Sequence, residues 1–334
     1  MRIVLAPMEG VVDHSMRARL TGLGGFDRCV TEFIRVTDQL LPRRVFYRFC
    51  PELHHGSRTP AGVPVYLQLL GGKPEFMALN ARRAAALGAA GIDINFGCPA
   101  KLVNRNDGGA ILLREPDRIC RIVEAVRQAV PATTPVTAKV RLGFEDQAQF
   151  DEIADAAASG GADELTVHAR TRRDGYRPPA YWDRVAAARA RHSLPIFING
   201  DIWSPADCRR ARAESGCSDV MIGRGALARP DLAAQLKADL AGKSQAPLAW
   251  SRIAELLLEQ LATSVATLPL RHALNPVKQW LSYLERGYPE AVALFQRVKR
   301  LTDPVAMRAT LLAEAGLDPA RHSNHWPLPV AVAS

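Results

Sequence analysis

Long apolar runs are missing from this sequence: no uninterrupted stretch comes near the roughly 20 residues that a membrane-spanning helix needs. Missing too is the basic start and apolar block of a secretory leader, because Met1 to Pro7 lead straight into a short strand-like stretch. A cytoplasmic protein with no membrane attachment is expected. Cysteine is sparse. The six residues (Cys29, Cys50, Cys98, Cys120, Cys208 and Cys217) contain no CxxC pair, which argues against a zinc knuckle or a disulfide scaffold and for reduced thiols and no metal. Low-complexity tracts are absent as well, and 48% hydrophobic with 23% charged residues is the make-up of a globular core rather than of a disordered chain. Acidic side chains are outnumbered, 34 against 43 basic ones, for a formal charge of +9. That balance favours a polyanionic partner, since cations near phosphates release condensed counterions, although many basic proteins bind no nucleic acid.

What is present is a repeat of short apolar runs with helical stretches between them. The runs are 2–6, 29–33, 63–70, 92–96, 136–141, 164–168, 196–198 and 220–222; alanine-rich amphipathic segments at 74–87, 116–130 and 147–159 lie among them. Several strands follow a helix stop such as Gly91, Pro135 or Pro195. Eight strands alternating with helices predict an α/β fold, a (β/α)8 TIM barrel over residues 1–241. After Leu240 the run Gly242 to Pro247 reads as a linker, and only helical periodicity follows: 250–268, 276–286, 289–300 and 305–315. A small all-helical domain is therefore expected over 242–316, and a loosely held tail over 317–334. A monomer is expected.

Polar residues collect where the strands end. Tyr66 and Gln68, Asp93 and Asn95, Lys139 and Arg141, and His168 and Arg170 are each two apart, so each pair points to one face. Any one of them reads equally well as a solvated rim residue or half of an ion pair. As a set, so many long polar groups would be costly in a dry core, and the carboxyl-terminal rim of a barrel is where its chemistry sits. Lys139 at a strand end suits either a Schiff base with a carbonyl substrate or an electrostatic hold on an anionic ring; position alone leaves both open. Cys98 sits in Asn95, Phe96, Gly97, Cys98, Pro99, flanked by residues suited to a fixed turn, which sets it apart from buried, inert thiols such as Cys29 and Cys120.

The last two strands end in Asn199, Gly200, Asp201 and in Gly223, Arg224, Gly225. Glycines there let backbone amides approach a phosphate, the usual arrangement after strands seven and eight of this fold, unless they merely make tight turns. Gly223, Gly225 and Ala228 fit GxGxxA, but no acidic residue follows about 20 positions later and no βαβ unit opens there, so a dinucleotide fingerprint is rejected.

These residues together resemble the tRNA-dihydrouridine synthase family. The likeness is carried by Ala6, Pro7 and Met8, by the Asn95 to Pro99 stretch, by Lys139 to Arg141, by His168 to Thr171 and by the two glycine turns, and it spans residues 1 to 316. Thr31 to Leu41 and Lys278 to Leu284 further resemble the bacterial C-type branch, which acts on uridine 16 of the D-loop. Phe96 and Ala169 depart from the residues usual at those places. The resemblance implies bound FMN, with Pro7, Met8, Glu9 and Gln68 at the flavin ring and Lys139 offsetting negative charge on it. It implies His168, Asn199, Gly200, Asp201, Gly223 and Arg224 along the ribityl chain and phosphate, and NADPH as reductant. Cys98 becomes the acid that protonates carbon 5 of uracil, with Asn95 and Arg141 stabilising the enolate formed by hydride addition at carbon 6. An unperturbed thiol, pKa about 8.5, is protonated at neutral pH and suits that task. The base must leave its loop to reach the flavin, which is easier in an unpaired D-loop than in a duplex. For gripping tRNA phosphates the candidates are Arg35, Lys101, Arg170, Arg177, Lys278, Arg297 and Lys299, with Arg172, Arg173 and Arg300 beside them; a favourable helix end accounts for Arg297 to Arg300 otherwise.

Three rivals remain at this point. One is a flavin barrel acting on a small metabolite, as in dihydroorotate dehydrogenases; another is a Schiff-base aldolase; the third is a tRNA-binding barrel without activity.

Overall fold

The computed structural model describes residues 1–318; the tail expected over 317–334 lies, from 319 on, outside the described residues. Nine strands form one parallel sheet: β1 (Ile3–Leu5), β2 (Arg28–Val30), β3 (Ile34–Arg35), β4 (Val65–Leu70), β5 (Ile92–Asn95), β6 (Val136–Arg141), β7 (Glu164–His168), β8 (Ile196–Asn199) and β9 (Asp219–Ile222). β1 pairs with both β2 and β9, and β2 also pairs with β4, so the sheet closes into an eight-position TIM barrel.

Nine strands fill eight positions because the second one is broken. Cys29 pairs with Val65, 36 residues on, whereas Ile34 pairs with Leu69, 35 residues on. One extra residue is thus accommodated between β2 and β3, a bulge. The backbone N–H of Gln68 would lose its strand partner there; it donates instead to the Thr31 hydroxyl at 3.0 Å.

Outside the barrel, helices bury apolar residues at three- and four-residue spacing. The Pro116–Ala129 helix buries Ile119, Ile122, Val123 and Val126. Its neighbours Pro74–Ala86 and Phe150–Ser159 occupy the expected segments. The Pro205–Ser215 helix is capped by Ser204, which accepts from the Asp207 N–H, and stops at Gly216 in the left-handed conformation.

Inside, the barrel is stratified. At the amino-terminal end Glu164 is gripped by Arg2 and Arg28, and the Arg28 guanidinium lies 4.3 Å from the centre of the Tyr66 ring. A small apolar layer of Val4, Ala6, Val30, Phe197 and Met221 follows. This ion-paired floor and its apolar lid leave the inward positions above them, toward the carboxyl ends of the strands, as the polar ones.

The helices Trp250–Thr267, Leu270–Ala273, Asn275–Leu284, Pro289–Val298 and Pro304–Ala315 form the carboxyl-terminal segment, reached through an exposed stretch at 242–247 without regular structure. It packs back on the barrel: Arg19 donates to Gln260 Oε1 at 2.7 Å, and the buried Trp280 indole N–H donates to the Leu227 carbonyl at 3.1 Å. Among the described residues no helix is long and apolar enough to cross a membrane, and no group of His, Cys, Asp and Glu side chains is placed to hold a metal ion.

Candidate active site at the barrel mouth

A cavity of about 640 Å³ opens where the strands end, a size within the range of cofactor and small-ligand sites. Its floor is a chain of buried amides. Thr137 and Gln68 both donate to the Asp93 carboxylate, Gln68 through Nε2 at 2.6 Å. Asn95 Nδ2 donates to Gln68 Oε1 at 2.8 Å, and Asn95 Oδ1 accepts from the backbone N–H groups of Gly97 and Cys98, each at 2.9 Å. A carboxylate at one end can only accept and two N–H groups at the other can only donate, so neither amide is free to flip. The cysteine loop is thereby tied to three strands. Its other side is held by the Ala110 N–H and Asn104 Nδ2, both donating to the Cys98 carbonyl at 3.0 Å.

The Cys98 thiol is half-buried, and burial pushes its pKa above the ordinary value; a backbone hydrogen bond with Ala100 and the charges of Arg141 and Lys139 pull the other way without reversing it. It is a thiol, not a thiolate, at neutral pH. Lys139 lies in the same cavity. Burial, with the Arg141 charge adding to it, lowers its pKa to about 8. Among the described residues its ammonium has one hydrogen bond, to Asn199 Oδ1 at 3.2 Å, which leaves donors for a ligand. Arg141 is more committed, its Nε donating to the Gly97 carbonyl at 2.6 Å and its Nη1 to the carbonyls of Gly175 at 2.9 Å and Thr171 at 3.2 Å. It staples the cysteine loop to the loop after β7.

His168 is buried among cations. Burial first, then Arg141, Lys139, Arg170 and Arg224, hold its pKa well below the usual value, so the ring is neutral. Arg170 Nη1 lies 3.3 Å from His168 Nε2. A guanidinium has only donors, so Nε2 must accept and the proton sits on Nδ1. Asp201, in the left-handed region at φ 51°, bridges Arg170 and Arg224, the latter at 3.0 Å. Gly200 beside it has φ 121°, and a Cβ there would stand 3.0 Å from the His168 ring, so the turn requires glycine. Gly225 abuts the Ile202 carbonyl so closely that a Cβ would meet it at 2.1 Å. The ends of β8 and β9 thus form a tight double turn with Arg224 facing the cavity.

The cavity brings together Pro7, Met8 and Glu9 from the β1 end, Gln68, Asn95 and Cys98 from the β4 and β5 ends, and Lys139, Arg141 and His168 from β6 and β7. Asn199, Gly200, Asp201, Gly223 and Arg224 complete it. The other predicted residues lie apart. Arg170 is a correction: its side chain is fully buried, paired with Asp201 and bonded to the Arg177 carbonyl at 2.6 Å, so it cannot meet a polynucleotide. Arg35 is half-buried on β3, Lys101 is exposed at the start of the short Lys101–Arg105 helix, and Arg177 is exposed on the loop after β7. In the carboxyl-terminal segment Lys278 donates to the Leu301 carbonyl at 2.6 Å, Arg297 pairs with Glu314 and Lys299 bonds to Gln296.

A family model described as dihydrouridine synthase matches residues 4–316. The tRNA-dihydrouridine(16) synthase of Pseudomonas putida is 50% identical over 315 residues, which cover 94% of this chain and 98% of that protein. The chain belongs to the dihydrouridine synthase family. The tRNA-dihydrouridine(16) synthase of Shewanella oneidensis is 49% identical over 299 residues, 90% of this chain and 93% of that one. Among solved structures, DHODH from Eimeria tenella in complex with ferulenol superposes with a TM-score of 0.54 at 15% identity, over 72% of this chain and 81% of that chain. A 2-naphthoyl-CoA reductase complex gives 0.56 at 13% identity, over 72% of this chain and 50% of that one. At such identities these two carry the barrel fold alone.

Against that family setting, the aromatic wall of the cavity went unread in the sequence. Tyr176, Trp203, Tyr283 and Phe33 line it from four separate segments. Tyr283 and Phe33 carry a signal, their places in the Lys278 to Leu284 and Thr31 to Leu41 stretches; Tyr176 and Trp203 carry none. Asp93 was seen as a polar strand residue but not as the anchor of the amide chain.

Proposed function

We propose that this protein reduces uridine 16 in the D-loop of tRNA to 5,6-dihydrouridine, using bound FMN with NADPH as reductant. The observation that carries the reading is the half-buried Lys139 ammonium with unused donors, in one cavity with a half-buried, protonated Cys98 thiol. Family membership supports the reaction, and the relatives named for position 16 support the nucleotide.

The residues present fit an anionic flavin nucleotide. Lys139 offers charge to an electron-rich ring, neutral His168 presents its Nδ1–H, and Arg224 with the glycine turns suits a phosphate. Bound FMN, once reduced, supplies a hydride for carbon 6 of the base. The chain's own work is then to receive negative charge on the uracil carbonyl and to deliver a proton to carbon 5. Arg141 has donors left beyond its three backbone partners, and it is already fixed in place, so it stabilises that charge without reorganising. Cys98 gives up its Sγ proton to carbon 5 and, being only half-buried, recovers one from solvent. Tyr176, 53% exposed at the mouth, offers a face on which an everted base can stack.

The body of the tRNA lies across the rim and the helical segment, where Lys101, Arg177 and Lys299 are exposed. The test is direct. Purified protein with FMN, NADPH and an unmodified tRNA transcript should yield dihydrouridine at position 16 and at no other uridine. Product elsewhere overturns the nucleotide; a protein that neither binds FMN nor forms product overturns the reaction.

A further inference from the structure

The cavity is built almost wholly by the barrel, yet its phosphate end leans on the carboxyl-terminal helices. We propose that this segment completes the cofactor-phosphate site, so that docking of the segment and binding of FMN are one coupled equilibrium, with Trp280 and Arg286 as positioning residues. The inference rests on the flavin reading above.

Two separate contacts carry it. The first runs through backbone. Arg224 lines the cavity and begins a short helix, Arg224–Ala228, whose Leu227 carbonyl accepts the Trp280 indole N–H at 3.1 Å. Trp280 is 1% exposed, and the Asn275–Leu284 helix that bears it packs on that short helix. At the far end of the same contact Gly287 lies so close that a Cβ would stand 2.1 Å from the Ala228 carbonyl. Any side chain there would push the segment off the helix. The short helix is therefore clamped where it would otherwise end in open carbonyls.

The second contact runs through a ring. The exposed Arg286 places its guanidinium 3.8 Å from the centre of the Trp203 ring, and Arg224 lies 5.2 Å from the centre of that same ring. Asp201, two residues before Trp203, holds Arg224 at 3.0 Å. Arg286 thus bears on Trp203, and Trp203 bears on the cation at the phosphate end. Tyr283, on the same helix as Trp280, reaches the cavity wall itself.

Because the connection at 242–247 is exposed and irregular, it does not hold the segment in place; the interface does. Binding that requires the docked form must stabilise it, and docking must tighten binding by the same factor. A segment expected to carry the tRNA body would then report its engagement to the cofactor site.

The experiment uses the full-length apoprotein, titrated with FMN and with riboflavin by flavin fluorescence. Trp280→Phe removes the N–H donor and keeps an aromatic ring; Arg286→Ala removes an exposed cation and leaves the core untouched. Trp280→Phe should weaken FMN about fivefold, the scale of one buried hydrogen bond, and Arg286→Ala about two- to fivefold, the scale of an exposed cation–π contact; both should leave riboflavin, which lacks the phosphate, within about twofold of wild type. FMN should also slow amide exchange in residues 275–284 of the wild type and less so in Arg286→Ala. Unchanged FMN affinity in the folded variants overturns the coupling, and so does an equal loss for both flavins. A wild-type protein that binds neither flavin overturns the coupling together with the flavin reading, whereas tight binding that ignores both substitutions overturns the coupling alone.

Discussion

A half-buried ammonium with unused donors titrates low until an anion reaches it. Burial and the Arg141 charge bring Lys139 to about 8, so it is charged below that pH and neutral above it. FMN affinity of the apoprotein should therefore fall as the pH climbs through 8, and Lys139→Met should remove that dependence. Flavin titrations across the range check this, and a wild-type affinity flat through 8 contradicts it. The same lowered amine would also suit a Schiff base, and it is family membership that decides against that rival. Cys98 moves the other way, upward, so its proton outlasts the Lys139 charge as the pH rises. Arg170 shows how far one residue can be read from sequence. Alternation puts it beside His168, and its guanidinium lies 3.3 Å from that ring, but its neighbours Arg172, Arg173 and Arg177 make it look solvent-facing. Its partner Asp201 lies 31 residues on, and no local pattern announces such a pair.

At the scale of elements, the cysteine loop depends on one glycine. Gly109 has φ 69°, and a Cβ on it would stand 2.9 Å from the Cys98 carbonyl. Gly109→Ala should cost about 1–2 kcal/mol for the left-handed backbone and displace that carbonyl. Thermal unfolding should drop while FMN still binds, and dihydrouridine formation should fall more than tenfold; full turnover would show that the loop is held elsewhere. Strand ends were legible because long polar side chains two apart have no place in a dry barrel, as with Asp93 and Asn95 or Lys139 and Arg141. The bulge between β2 and β3 was not: Thr31 to Phe33 reads as ordinary strand, and only the pairing with β4 exposes the extra residue. The aromatic wall escaped for a related reason, since Tyr176, Trp203 and Tyr283 meet only after the chain has closed.

Over the whole molecule, a charge of +9 and exposed cations at the rim and on the helices predict salt-sensitive binding. Each phosphate neutralised contributes about 0.7–0.9 to the slope of log affinity against log salt, so Lys299→Ala should lower the slope by close to one step, uniformly across tRNA species. Filter binding at several salt concentrations measures it, and an unchanged slope removes Lys299 from the interface. The central claim is that the barrel mouth joins a hydride source to a waiting thiol proton, and one experiment reaches it directly. FMN-loaded protein reduced with NADPH is mixed without oxygen with unmodified tRNA, and the return of yellow flavin absorbance is followed alongside dihydrouridine. Wild type should reoxidise in step with product, and Cys98→Ala, still binding FMN and tRNA, should slow at least a hundredfold, within the range of a lost general acid of about 10²–10⁴. Reoxidation of Cys98→Ala at the wild-type rate would contradict the account.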